Sequence, residues 1–291
     1  MHAAVAARYD SSEKKRGLIG SMKLGIGTYA YMWSIGFPGA HSEKPLGALD
    51  LLSRARELGV GLVQIGPNLP LDGLSSADLS AIADRADKWG IQLELATRGL
   101  ANDQLGSQLA LCKKLGAKLL RTIPEMDGGR VATPAEIVAR LRSITPVLAA
   151  SKVKLALENG KIPAEQLRHI LETLASSWLG ITLDTVNSLA IPEGWREVAK
   201  ILAPYTLCLH VKDFIVQRAW HMMGFIVEGR PAGRGQLDIP WLLNMLKSAG
   251  SSPSVILEVW PPEQKTLQET IALEHSWVSE SIPYLRQFIL D

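Results

Sequence analysis

The chain has 291 residues, a formal net charge of +2, 47% hydrophobic and 21% charged residues, a composition that excludes a disordered chain and fits one with a large buried core. Lys and Arg are dispersed rather than clustered, so nucleic acid is not an expected partner, and no apolar run reaches the roughly 20 residues that cross a bilayer. Cys112 and Cys208 each sit inside an apolar segment and read as small buried residues, not as a disulfide framework or a thiolate metal site.

Residues 1–21 lack the continuous apolar core of a secretion signal and end in a polar stretch around Lys14, Lys15 and Arg16. They read as a disordered leader on a cytoplasmic protein, followed by a single barrel domain over 22–291. From there, short runs rich in Val, Ile and Leu recur at 23–28, 62–66, 92–96, 118–123, 154–158, 180–184, 206–211 and 254–259. They do not alternate apolar with polar, so each predicts a parallel strand covered on both faces.

Amphipathic stretches with helical spacing follow each strand, at 46–58, 77–89, 104–115, 134–150, 163–174, 194–202, 239–249 and 267–288. Gly59, Gly90, Gly116 and Gly250 stand where four of these helices should end. Strict strand–helix alternation leaves an open doubly wound sheet or a closed barrel, and eight units favour an α/β fold of the (β/α)8 type. The first strand runs into Tyr29-Ala30-Tyr31-Met32-Trp33, with no glycine-rich phosphate cradle. One connection is long, 212–236. It holds Arg218, Trp220, Phe225, Arg230, Arg234 and glycines 224, 229, 233 and 235, and reads as a functional cover over the barrel.

In such a barrel the strand C-termini open onto one face, and the last four strands end in ligand-type side chains: Glu158, Asp184, His210 and Glu258. Carboxylates gathered against apolar strands repel one another and lose solvation; a divalent cation removes both penalties. Three oxygens and an imidazole suit manganese, magnesium or cobalt, with zinc also admitted. Arg98, Arg121, Glu94 and Glu125 lie at or near the ends of the third and fourth strands, and Glu94 and Arg121 are candidate substrate contacts. Tyr29 and Trp33, after the first strand, could form an aromatic wall for a sugar face. Lys212 and Arg218, with Arg230 and Arg234, could receive a substrate carboxylate or phosphate.

The motifs Leu157-Glu158-Asn159, Leu183-Asp184-Thr185, His210-Val211-Lys212-Asp213, Gly233-Arg234-Gly235-Gln236-Leu237-Asp238 and Leu257-Glu258, in this order and strand context, resemble the xylose isomerase-like barrel superfamily from about residue 22 onward. The similarity is strongest to its sugar isomerase and epimerase branch, which includes the D-tagatose 3-epimerase-like enzymes. That resemblance implies one divalent metal held by Glu158, Asp184, His210 and Glu258, a small hydroxyketone sugar as substrate, and Glu158 and Glu258 as the two proton-handling residues of an enediolate mechanism. Epimerases of this group carry a histidine three residues after the strand-six aspartate, where this chain has Asn187. Asparagine hydrogen-bonds a hydroxyl but does not titrate. A fainter similarity, through His210-Val-Lys-Asp-Phe and the segment from Gly224, is to members that decarboxylate oxo sugar acids, a reaction that needs one proton donor.

Two other classes complete the expectations. An endonuclease IV-like repair enzyme would need several histidines at the mouth, whereas among His2, His41, His169, His210, His221 and His275 only His210 ends a strand. A non-catalytic sugar-binding barrel would not need four ligands. The last helix, with Trp277, Tyr284, Leu285 and Phe288, is a candidate surface for a homodimer.

Overall fold

Runs of four to seven residues that are buried on both faces can only be satisfied between two covering layers. In the computed structural model, which describes residues 22–40 and 42–291, they form such an arrangement; the expected leader, 1–21, and His41 lie outside the described residues. The eight barrel strands are β1 (Lys23–Gly27), β2 (Leu62–Ile65), β3 (Gln92–Arg98), β4 (Leu119–Ile123), β5 (Lys154–Glu158), β6 (Leu179–Asp184), β7 (Thr206–Val211) and β10 (Ser254–Leu257). They close in the order β1-β10-β7-β6-β5-β4-β3-β2, all in parallel. The fold is a closed (β/α)8 barrel. Among the described residues no helix is long and apolar enough to cross a membrane.

Side chains alternate across each strand, and this alternation builds two different interiors. Outward-facing Leu157, Leu183, Leu209 and Leu257 join the main core with the helices. The inward positions below the mouth hold a small plug of Leu62, Leu119, Ala156, Cys208 and Ile256. Two residues further along the same strands stand Gln64, Arg121, Glu158, His210 and Glu258, all buried. The plug therefore forms a dry floor under a polar layer.

The helices are α1 (Met32–Ile35), α2 (Ala48–Glu57), α3 (Ser76–Lys88), α4 (Asn102–Leu115), α5 (Pro134–Ser151), α6 (Ala164–Leu174), α7 (Trp195–Leu202), α8 (Ile239–Ser248) and α9 (Leu267–Leu285). Capping boxes at Ser75, Thr133 and Thr266 fix the starts of α3, α5 and α9. Gly59, Gly90, Gly116 and Gly250 follow α2, α3, α4 and α8 with positive φ, the left-handed backbone that glycine adopts cheaply. Cys112 and Cys208 are free and buried.

The long 212–236 connection is not an irregular cover. It contains an antiparallel hairpin of β8 (Asp213–Arg218) and β9 (Phe225–Arg230), whose far end exposes Trp220, Met222, Met223 and Phe225. Asp213 roots it: its Oδ1 accepts from the backbone N–H groups of Phe214 (2.8 Å) and Leu237 (3.0 Å), and its Oδ2 from Gly233 (2.8 Å) and Gly235 (2.9 Å). A Cβ on Gly235 would strike this carboxylate and the Phe214 carbonyl, so the Gly-Arg-Gly turn is glycine-rich in order to wrap a buried anion. Asp213→Ala strands up to four donors and should cost more than about 3 kcal/mol in denaturant unfolding; a loss under about 1 kcal/mol would show that the turn holds without it.

Glu274 of α9 ties the opposite side of the mouth. It accepts from Trp33 N (2.8 Å), Ser34 N (3.0 Å) and Ser34 Oγ (2.6 Å), which caps the first turn of α1. Burial outweighs these bonds and pushes its carboxyl up from the ordinary 4.5 to about 7. Between those values the folded protein holds a proton that the unfolded chain has released, so this contribution is complete below the lower value and is lost as pH rises through the upper one. Measured against Glu274→Gln, wild-type stability should therefore decline between about pH 5 and about pH 7.5. A pH-independent difference would contradict the assignment.

Candidate active site

The ends of β5, β6 and β7 and the residue after β10 bring Glu158, Asp184, His210 and Glu258 together, each at most 1% exposed. His210 Nδ1 lies 3.9 Å from Glu158 Oε1, 3.7 Å from Asp184 Oδ2 and 3.5 Å from Glu258 Oε1. One ligand atom each from Glu158, Asp184 and His210 fall within 4.8 Å of one another. His210 Nδ1 and Glu258 Oε1 are buried without a hydrogen-bond partner, and Glu158 Oε2 and Glu258 Oε2 are met only by the side chains of Arg121 and Lys212. Buried polar atoms are otherwise almost always satisfied. Convergent oxygen and imidazole donors, two of them without a partner, fit a divalent cation, and Glu158, Asp184 and His210 could hold one.

Neighbouring residues show why the motif pairs recur side by side. Asn159 faces away from the cluster and straps β5 to β6: its Oδ1 accepts from Asp184 N (2.6 Å) and its Nδ2 donates to Asp184 O (3.1 Å). Thr185 does the same between β6 and β7, donating to Lys212 O (2.9 Å) and accepting from Lys212 N (3.1 Å). Asp184 Oδ1 accepts from Val186 N (2.9 Å) and Asn187 N (3.0 Å), which leaves Oδ2 facing inward.

Two cations enter the cluster, Arg121 buried and Lys212 half-buried. Lys212 Nζ is 2.6 Å from Asp184 Oδ2 and 2.8 Å from Glu258 Oε2. Arg121 Nε contacts Glu158 Oε2, while Asn187 Nδ2 donates to Glu158 Oε1 (2.8 Å). Burial opposes charge on every member, yet Lys212 and His210 hold Asp184 and Glu258 below the usual carboxylate range. At Glu158 burial prevails and raises the carboxyl. Desolvation of the half-buried Lys212 opposes its charge, but Asp184 and Glu258 outweigh it and hold the side chain as an ammonium.

Of the remaining expected contacts, Tyr29 stands with its ring 6.0 Å from the Arg121 guanidinium. Trp33 packs its edge on Phe37 at 5.0 Å, near the mouth but in no contact with the cluster. The structure does not bring Glu94 or Arg218 to it. Glu94 points inward but lines a cavity at the strand N-termini, with Lys23, Lys118 and Lys154, because it sits four residues before the end of β3 rather than at that end. Arg218 is on the exposed hairpin, donating to the Met222 carbonyl and lying over Phe225. Arg230 and Arg234 pair with Glu228 and Glu280, and Arg98 and Lys161 share Glu125. Gln64 escaped the sequence reading altogether: its Oε1 meets His210 Nε2 at 2.8 Å. A lone polar residue inside the Leu-Val-Gln-Ile strand was the available signal.

A family model described as xylose isomerase-like TIM barrel matches residues 52–278. The 3-oxo-isoapionate decarboxylase of Pectobacterium atrosepticum is 32% identical over 265 residues, 91% of this chain and 95% of that protein. Among solved structures, D-psicose 3-epimerase with D-tagatose from Clostridium cellulolyticum superposes with a TM-score of 0.68 at 15% identity, over 93% of this chain and 100% of that one. A xylose isomerase-like TIM barrel protein from Mycobacterium smegmatis in complex with magnesium does so with a TM-score of 0.65 at 14% identity, over 93% and 100%. Barrel closure, the inward carboxylate and imidazole set and these matches agree: the chain belongs to the xylose isomerase-like TIM barrel family.

Proposed function

We propose that this protein is a metal-dependent enzyme that decarboxylates a 3-oxo sugar acid, with Glu258 joining Glu158, Asp184 and His210 as the metal ligands. The observation that carries this reading is the buried charge. Three carboxylates against Arg121 and Lys212 leave one net negative charge, with His210 neutral as a ligand. A divalent cation turns that into one positive charge. A neutral sugar would leave it unmatched in a dry site, whereas a monoanionic acid closes it. The likeness to the decarboxylase over nearly the whole chain points the same way.

When bound, the divalent ion would supply Lewis acidity toward the carbonyl and hydroxyl oxygens of the substrate. The bond from the α-carbon to the carboxylate breaks, its electrons pass toward the neighbouring ketone, and carbon dioxide leaves. Negative charge thereby moves from the carboxylate to the ketone oxygen and stays within the same positive surroundings, which Arg121 and Lys212 provide without rearrangement. The α-carbon then takes up one proton from solvent, because Asp184 and Glu258 hold Lys212 as an ammonium whose charge stays in place. Asn187 holds Glu158 in place through its amide and is not asked to titrate. Below the site, the apolar plug keeps bulk water from the strand-side face.

Epimerisation of a hydroxyketone remains the second reading, favoured by the presence of two glutamates in one cluster. It requires a base on each face of the substrate, and here each glutamate lies against its own cation, Glu158 against Arg121 and Glu258 against Lys212. Such pairing weakens Glu258 as a base, whereas burial keeps the Glu158 carboxyl raised, so the two faces are not equally served.

Manganese at a hundredfold excess over its dissociation constant should stabilise the wild type by about 2.7 kcal/mol, and Glu158→Ala or Glu258→Ala should abolish that shift; retention in both variants would refute the ligand set. With the metal-loaded enzyme, release of carbon dioxide from a 3-oxo sugar acid in deuterated water should place one deuterium on the product. Arg121→Met should lower kcat/KM at least about 100-fold, with Arg121→Lys between the two. Deuterium entering a recovered ketose, with no carbon dioxide from any oxo acid offered, would establish the epimerase instead.

A further inference from the structure

Two polar residues inside the barrel take no part in the chemistry described above. Gln64 on β2 and Glu94 on β3 are register partners and are 3% and 8% exposed. Both stand beside the plug positions, where apolar side chains would pack without any polar burial cost. Gln64 also spans the barrel, since β2 and β7 are separated by β1 and β10 around the ring.

The placement of the Gln64 amide sets the hydrogen-bond directions along this chain. Gln64 Nε2 donates to Glu94 Oε2 at 3.0 Å, and Cys208 Sγ lies 3.5 Å from the same nitrogen. The amide nitrogen is thus committed downward, and Oε1 faces His210 Nε2 at 2.8 Å. A carbonyl oxygen only accepts, so Nε2 must donate. In the neutral ring that a metal ligand requires, this leaves the unpartnered Nδ1 as the nitrogen whose lone pair is directed among Glu158, Asp184 and Glu258. With Glu94 absent, the amide could turn over and present its NH2 to Nε2, which would place the ring hydrogen on Nδ1 and close that nitrogen to a cation.

We propose that Glu94 is a positioning residue which, through the Gln64 amide, holds His210 with Nδ1 free toward the carboxylates. The inference rests on His210 being a metal ligand, and it adds a part that reaches from the metal end of the barrel to the cavity at its opposite end. Outer partners of ligating histidines are worth 10- to 100-fold in metal affinity as a general rule, and here the partner is an amide whose own direction needs a second residue to set it.

Manganese affinity measured by titration calorimetry, in the absence of any substrate, tests the proposal. Gln64→Leu and Glu94→Leu should each weaken binding about 10- to 100-fold, whereas Glu94→Gln, which keeps an acceptor, should stay within about threefold of wild type. Because Glu94 acts only through Gln64, Glu94→Leu should weaken binding by less than about twofold further in the Gln64→Leu background. A merely structural role would give independent losses and no rescue by Gln. Nitrogen-15 spectra of the magnesium-loaded wild type should show the His210 hydrogen on Nε2, and a hydrogen on Nδ1 would overturn the proposal whether or not the variants fold. So would Glu94→Leu binding manganese as tightly as wild type. His210→Ala separates the two layers of argument: manganese affinity retained there sinks the ligand assignment itself, while affinity lost there but kept in Glu94→Leu sinks only the relay.

Discussion

Excess negative charge held out of water at the mouth of a barrel is the constraint on which the rest of this structure depends. Three carboxylates within reach of one imidazole nitrogen cannot stay ionised in a dry interior without positive charge nearby. Arg121 and Lys212 supply part of it, and neither saturates the set: Glu258 keeps Oε1 and His210 keeps Nδ1 without a hydrogen bond. Such atoms are costly in a core that has no use for them. Their convergence is therefore a statement about what the site is built to receive.

The barrel makes this arrangement affordable through the two-residue period of its strands. The same strands that place Glu158, His210 and Glu258 inward place Ala156, Cys208 and Ile256 inward one step lower, and these close the floor with apolar atoms. Outward residues between them, Leu157, Leu209 and Leu257, are anchored in the helical layer. A slip of one residue in any of these strands would exchange ligand for leucine, so packing on the outer face sets the position of the chemistry on the inner one.

Much of this was legible in the residues. Apolar runs bounded by acids located eight strands and their helices to within a few residues, since burial on both faces leaves a run with no alternation to misread. Glycines after the helices marked their ends. What was not legible depended on contacts distant in sequence. Gln64 meets His210 across 146 positions, and its place inside an apolar strand marks it as unusual without naming its partner. Glu94 read as a rim residue because it lies in a strand, but its distance from the strand end places it at the lower layer. The β8–β9 hairpin was foreshadowed by Phe-Ile-Val at both 214–216 and 225–227, yet the glycines and arginines around them read as loop; the pairing is fixed by Asp213, whose role is seen only when the four N–H groups it collects are in view.

The motif pairs can now be divided by what each member touches. In Glu158-Asn159, Asp184-Thr185 and Lys212-Asp213 the first residue faces the shared charge, and the second fastens backbone to backbone. Adjacent residues in a strand point to opposite sides, so a ligand and its strap can be neighbours without competing for space. The straps are polar for a physical reason of their own, because strand ends lack the ladder partners that the middle of a sheet provides. It follows that these pairs report the barrel and its ligand set together but say little about the reaction. Reaction type turns instead on charge from elsewhere, on Arg121 in the middle of β4 and on Asn187 where imidazole is absent.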